Sequence, residues 1–172
     1  MARTLLAALI VLLAVDASAK ADEPAAEKPP AVSLAKGRYV RVTLEGMDHV
    51  LSLSEVQVRE ADSGKELQKT GKASQSSTDH EGEAQRAADG NTNQDFYTGS
   101  TCHTSFEQNP SWEVDLEEVK DIGQIKVFNR GDACGSRLRG AIVEILDVNY
   151  NAVWKGTITE AYDGSVHEFS AP

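Results

Sequence analysis

The sequence predicts an all-β fold, an antiparallel β-sandwich with one short helical turn. Three observations predict it. From Gly37 onward apolar residues recur at every second position in short runs, those runs are punctuated by turn residues, and no long segment carries the helical period that a second layer of helices would need. The chain has 172 residues, enough for one ordinary domain with a core.

The elements follow in order. Arg38 to Leu44 places Val40, Val42 and Leu44 on one face, and Val50 to Val58 follows the turn-like Glu45-Gly46-Met47-Asp48, so these two runs are expected to pair as a hairpin. Glu83 to Ala88 reads as the single helical turn. Trp112, Val114 and Leu116 alternate with Glu113 and Asp115; Ile122 to Phe128, Ala141 to Leu146, Ala152 to Ile158 and Val166 to Phe169 supply further strands. Both tryptophans are expected to fill the core. Gly71 to Pro110 lacks strand character and is crowded with Ser, Thr, Asp, Asn, Gly and His. So long an irregular segment in a compact domain is usually functional or held by an ion, and the site is sought there.

Ahead of the domain, residues 1–19 have a positive start at Arg3, an apolar run from Leu5 to Val15 and the small-residue ending Ala17-Ser18-Ala19, the pattern of a secretory signal. The apolar run is too short to span a bilayer, which takes about 20 residues. Residues 20–33 lack periodicity, and Lys20 to Pro30 is rich in Ala, Glu and Pro; the segment reads as a flexible linker ahead of a domain over 34–172. The destination is therefore extracellular or periplasmic. With 17 Lys plus Arg against 27 Asp plus Glu, the net charge of −10 repels phosphate backbones and anionic lipid, which excludes nucleic acid as an expected partner.

Cys102 and Cys134 are the two cysteines. In an oxidising compartment pairing is the default expectation, closing a loop of about 30 residues worth roughly 3–4 kcal/mol on the chain-entropy model. Two free thiols are the other reading.

Two clusters carry chemistry. Asp89-Gly90-Asn91-Thr92-Asn93 is a tight turn whose oxygens could converge on calcium, a hard cation with oxygen ligands, and equally an ordinary turn sequence. Asn129-Arg130-Gly131-Asp132-Ala133-Cys134-Gly135-Ser136-Arg137 follows a predicted strand; Asp132 could hold both guanidinium groups and aim their remaining donors at a neutral polyhydroxylated ligand, or form a plain surface ion pair. Arg130-Gly131-Asp132 also spells an adhesion tripeptide, a match too short to weigh.

His103, Arg130, Asp132 and Arg137 together resemble the His, Arg-x-Asp, basic signature of the F-type lectins, or fucolectins. Ala73 to Thr78, Ala88 to Asn91, Trp112 to Leu116 and Leu53 to Val58 resemble the discoidin-like modules to which those lectins belong, over about Leu34 to Pro172. In many animal members the strand similar to Leu53 to Val58 closes the domain, whereas here it opens it. The resemblance implies a jelly-roll sandwich and a site in which His103, Arg130 and Arg137 contact L-fucose. Asp132 would orient them, and Phe96 or Tyr97 would receive the sugar's methyl group or serve the core. It implies a structural calcium held by the Asp89 carboxylate, the backbone oxygens of Arg86 and Asn91, the oxygens of Ser100, and Glu55. The adjacent cysteines of animal members are absent, as is a further family disulfide, and Cys102 with Cys134 is expected to pair instead and clamp the two loops.

The function so implied is binding of L-fucose or a fucosylated glycan, without catalysis. The alternative is an adhesion or scaffold module of the same fold that binds another glycan or a protein. No opposed carboxylate pair or placed nucleophile supports an enzyme. One shallow sugar site binds weakly, so avidity would call for a homo-oligomer or a partner. His49, His80 and His167 lie outside the signature and read as surface or strand histidines.

Overall fold

The computed structural model describes residues 32–171; the signal and most of the linker expected ahead of the domain lie outside them, as does Pro172. Eight antiparallel strands form the fold: β1 (Ala35–Thr43), β2 (Ser52–Glu60), β3 (Lys72–Gln75), β4 (Cys102–His103), β5 (Ser111–Asn129), β6 (Ile142–Leu146), β7 (Ala152–Thr157) and β8 (Val166–Ser170). The all-β prediction holds, and the turn expected at Glu83 to Ala88 is a short 3-10 helix at Ala84–Ala87. Similar turns occur at Gln68–Thr70, Phe96–Thr98 and Gly135–Leu138.

The long strand β5 organises both layers. Its first half pairs with β1 and β3, and β1 continues to β6 and β7; its second half pairs with β2 and β8, and β2 continues to β4. The sequence read β5 as two strands, Trp112 to Leu116 and Ile122 to Phe128. The division survives as a change of face: Trp112, Val114, Leu116 and Ile122 are buried at even positions, then Ile125 and Val127 at odd ones. A register shift opposite Arg59 and Glu60 absorbs the extra residue at Gly123, where a Cβ would sit 2.7 Å from Ala61 Cα.

The expected hairpin of β1 and β2 does not form, because β5 lies between them. Val40 and Val42 of β1 and Leu53, Val56 and Val58 of β2 are all fully buried in one core, contributed from the two facing layers. The connecting residues cross between layers by zipping against 107–110: Leu44 N donates to Pro110 O, and His49 and Glu107 exchange both backbone bonds. Trp112 is fully buried and donates its indole N–H to Ala84 O, while Trp154 is half-buried against Phe169.

Gly71 to Pro110 is not wholly irregular, since it supplies β3 and the two-residue β4. Both are too short to show a period. The described chain ends meet: Leu34 N donates to Ile122 O and Ala171 N to Gly123 O, adjacent residues of β5. Adjacent ends are what a sandwich needs if the same strands are to be traversed from a different starting point.

Candidate functional site

The site lies at the end of the sandwich where β5 runs out. Asn129, its last residue, is buried and acts as a hub: its side-chain oxygen accepts from Arg130 N, and its amide donates to Gly135 O, Tyr162 O and Ser165 Oγ. The next loop is thereby tied to the segment around Tyr162. Gly131 N donates to Gln94 O, and a Cβ at Gly131 would strike the Gln94 side chain, so this position demands the smallest residue.

Arg130 and Asp132 form a bidentate pair, with Nε donating to Oδ1 at 2.9 Å and Nη2 to Oδ2 at 2.6 Å. The Asp132 main chain is exposed, yet its side chain is only 15% exposed and that of Arg130 11%. Asp132 Oδ1 also accepts from Phe96 N at 3.0 Å. Hydrogen bonding to Arg130 holds the Asp132 carboxyl below its ordinary range and raises Arg130 in turn. A carboxylate engaged this way is not offered to a receptor, which removes the adhesion-tripeptide reading. The guanidinium carbon lies 4.3 Å from the Phe96 ring centroid, and Nη1 makes no hydrogen bond with the described residues.

His103, 7% exposed on β4, meets the same ring edge-to-face, with 5.3 Å between centroids and 62° between the planes. Its backbone is pinned by three bonds: His103 N to Gly82 O, Asp79 N to His103 O, and Gln75 Nε2 to His103 O. Nδ1 lies 2.7 Å from Thr104 O. A carbonyl can only accept, so Nδ1 carries the hydrogen and Nε2 is left as a bare acceptor. Burial pushes the His103 pKa down against the opposing bond to Thr104, and His80 and Arg130 add to the depression. His103 is therefore neutral at pH 7.

The structure brings together His103, Phe96, Arg130 and Asp132, with Tyr97 at the rim, 83% exposed and edge-on to Phe96 at 5.8 Å. Arg137 is different. It sits exposed on the Gly135–Leu138 turn and makes no side-chain hydrogen bond or ion pair with the described residues. The expectation that Asp132 orients both arginines is corrected, because the oxygens of Asp132 are taken by Arg130 and by Phe96 N.

The expected disulfide is corrected as well: Cys102 and Cys134 are both free. Cys102 is fully buried in the core, where burial pushes its thiol up to about 12. Cys134 is exposed, in the left-handed region at φ 64, at the start of the Gly135–Leu138 turn. The sequence also missed His80. At φ 51, its ring lies 5.2 Å from that of His103 and 6.3 Å from that of Phe96. Nothing local links two histidines so far apart in the chain; the backbone bonds of His103 to Asp79 and Gly82 do so, and Gln75 braces them by bonding Thr78, Gly82 and His103.

The loop read as a calcium turn is built from four successive side-chain caps, in which Asp89, Asn91, Asn93 and Asp95 each accept from the backbone N–H two residues on. Beneath it Glu55 is fully buried, accepting from Gln68 Nε2 at 3.0 Å and from Gly90 N. Burial raises its carboxyl to about 7, and neighbouring Asp89 adds to the rise. Ser100 is buried, with its hydroxyl donating to Asp95 O. Among the described residues no three His, Cys, Asp or Glu side chains are placed so that they could hold a metal ion together. The donor set of Glu55, Asp89, Ser100 and the main chain at Arg86 and Asn91 is all oxygen, with a dehydrated carboxylate at its base, and such chemistry fits a hard divalent cation.

With this geometry in hand, similarities to known proteins bear on the chain. The profile of the F5/F8 type C family, described as a NedA-like, galactose-binding domain, matches residues 86–171, half the chain. A fucolectin of Anguilla anguilla is 48% identical over 63 residues, which is 37% of this chain and 40% of that protein. A pentraxin fusion protein of Xenopus laevis is 32% identical over 63 residues, 37% of this chain and 15% of that protein. The matched stretch thus spans less than half the length of these relatives. Among solved structures, the lectin domain of lectinolysin complexed with Lewis b antigen superposes with TM-score 0.57 and 35% identity, covering 62% of this chain and 77% of that one. A Streptococcus pneumoniae fucose-binding module gives 0.56 and 33%, covering 63% and 77%. The chain belongs to the F5/F8 type C family of NedA-like, galactose-binding domains and is a homologue of the fucolectins.

Proposed function

We infer that this protein is a secreted, non-catalytic lectin that recognises L-fucose or a fucose-bearing glycan in the dent between His103 and Arg130. The observation that carries the reading is the meeting of a bare imidazole nitrogen, an aromatic ring and an oriented guanidinium at one loop end. Arg130 Nη1 donates to sugar oxygens, His103 Nε2 accepts from a hydroxyl, and the partly open Phe96 with Tyr97 receives the methyl group that distinguishes fucose. Arg137, free of other partners, closes over the ligand from the neighbouring turn.

Calcium in the 89–100 loop serves structure in this reading. Glu55, Asp89, Ser100 and the carbonyls of Arg86 and Asn91 hold it, and it stiffens the segment that carries Phe96 and leads into His103. The residues 1–19 signal supports export. One small sugar in a shallow dent binds at roughly millimolar to high-micromolar Kd, so functional avidity comes from self-association or a multivalent surface.

A glycan array, run with calcium and again with a chelator, tests the reading. Signals on fucosylated glycans that fade on chelation and disappear in Arg130→Ala support it. An array flat under both conditions would shift the assignment to a scaffold module that kept the fold, the reading for which an Arg137 outside the polar network is the specific observation.

A further inference from the structure

The arginine loop does not end at Arg137. Gly135, the first residue of the turn, is pressed on the Tyr162–Asp163 backbone: its N–H donates to Asp163 Oδ1 at 2.6 Å, and no side chain could fit there. Gly164 N donates to Arg130 O, and Asn129 holds Tyr162 O, so the loop that bears Arg130 and the segment 162–165 are one packed unit. Continuing from this unit, Arg139, Thr159, Glu160 and Tyr162 line an open cleft of about 410 Å³, tied to the Arg130 loop through the bond from Asn129 to Tyr162 O. A second cleft of about 330 Å³ continues from Thr159 and Glu160 along β8 past His167.

The lining has a distinct chemistry. Tyr162 is 67% exposed, and Arg139, Thr159 and Glu160 are exposed too. None of these four side chains makes a hydrogen bond or an ion pair with the described residues. One cation, one carboxylate and two hydroxyl groups around an exposed aromatic ring offer both donors and acceptors with no net charge. That set suits a neutral pyranose, whose C–H face lies on an aromatic ring while its hydroxyl groups bond outward, and it suits neither an anion nor an apolar peptide.

We propose that the cleft at Arg139, Thr159, Glu160 and Tyr162 is a second sugar subsite, which holds the neutral hexose or N-acetylhexosamine ring next to the fucose and extends recognition from a monosaccharide to an oligosaccharide. The proposal rests on the fucose reading above, and it adds what that reading lacks, a source of selectivity among fucosylated glycans. Tyr162 stacks on the ring, Arg139 donates to its oxygens, and Glu160 and Thr159 accept from its hydroxyl groups.

Isothermal titration with methyl α-L-fucoside and with the Lewis b tetrasaccharide, on the full protein and on Tyr162→Ala and Arg139→Ala, tests it. Both side chains are exposed, so neither substitution disturbs the core. The unaltered protein is expected to bind the tetrasaccharide about tenfold more tightly than the fucoside, a gap of about 1.4 kcal/mol. Each variant is expected to lose most of that gap while binding the fucoside unchanged. Equal affinity for the two ligands in the unaltered protein, or variants that keep the full gap, would overturn the subsite alone. No binding of the fucoside by the unaltered protein would overturn the fucose reading and the subsite with it.

Discussion

Replacing Asp132 by Asn separates orientation of the site from its mere presence. In the native loop both carboxylate oxygens accept from Arg130 and one also accepts from Phe96 N. The amide keeps one oxygen, enough for Phe96 N and Arg130 Nε, and turns an N–H₂ toward Arg130 Nη2, which itself only donates. One charge-assisted bond is lost and two donors are opposed. Hydrogen bonds to charged groups contribute about 1.5–3 kcal/mol, and the rim position of this pair favours the lower half, about 2 kcal/mol. Because Arg130 then turns away from Phe96, most of this loss falls on ligand binding, an expected weakening of roughly 10- to 30-fold for L-fucose. The remainder, about 0.5 kcal/mol, falls on folding, roughly 1–2 °C in Tm for a domain of this size. Titration calorimetry with L-fucose and thermal melting by circular dichroism read the two effects separately. A fall in Tm with fucose affinity held within twofold would refute the reasoning, since Asp132 would then be a structural brace only.

Acid is expected to weaken binding, because His103 must be neutral for Nε2 to accept. Its pKa lies below the ordinary value of about 6.5, so affinity holds at pH 7 and falls by up to about tenfold per pH unit once pH drops through the depressed value, a profile that His103→Gln would flatten. The same depression means the unfolded chain binds the proton more readily, so His103, and His167 in the same sense, withdraw stability as pH falls from about 6.5 toward their folded values; melting across pH 7 to 4 should show the decline. Chelation of calcium is expected to lower Tm and to raise amide exchange over residues 89–100 before any other loop. Glu55→Gln should blunt the response to added calcium, and exchange that ignores the chelator would exclude the ion. Under native conditions iodoacetamide should label Cys134 quickly and Cys102 only after unfolding, as peptide mass analysis would report; two unreactive thiols that respond after reduction would instead indicate a bridge.

What could be read from the sequence follows the range of the interactions. Alternation along Arg38 to Leu44 or Ala141 to Leu146 reports one buried face, a local property, and those strands stand where expected. Which strand pairs with which is settled by residues far apart, and β1 pairs with β5 across some seventy positions rather than with its neighbour β2. The spacing of His103, Arg130 and Asp132 was legible because side-chain chemistry fixes it within one loop and one strand. The placement of His80 was not, since it depends on backbone bonds between residues 79–82 and His103, braced by Gln75, that join two remote segments. The disulfide expectation failed for a related reason: compartment and count say that two thiols could pair, but only the tertiary fold sets where each one lies, and it puts Cys102 in the core and Cys134 on the exposed loop.

Leu34 and Ala171 both bond to the Ile122–Gly123 stretch of β5. With a rise of about 3.3 Å per residue, the strand carries Asn129 and the dent beyond it roughly 20 Å from that point. Leu34 and Ala171 therefore both lie at the pole opposite the dent between His103 and Arg130. A surface or neighbouring module attached there would stand behind the domain, leaving that dent facing solvent. Two copies joined back to back would present their mouths in opposite directions, a geometry that favours bridging separate surfaces over gripping one.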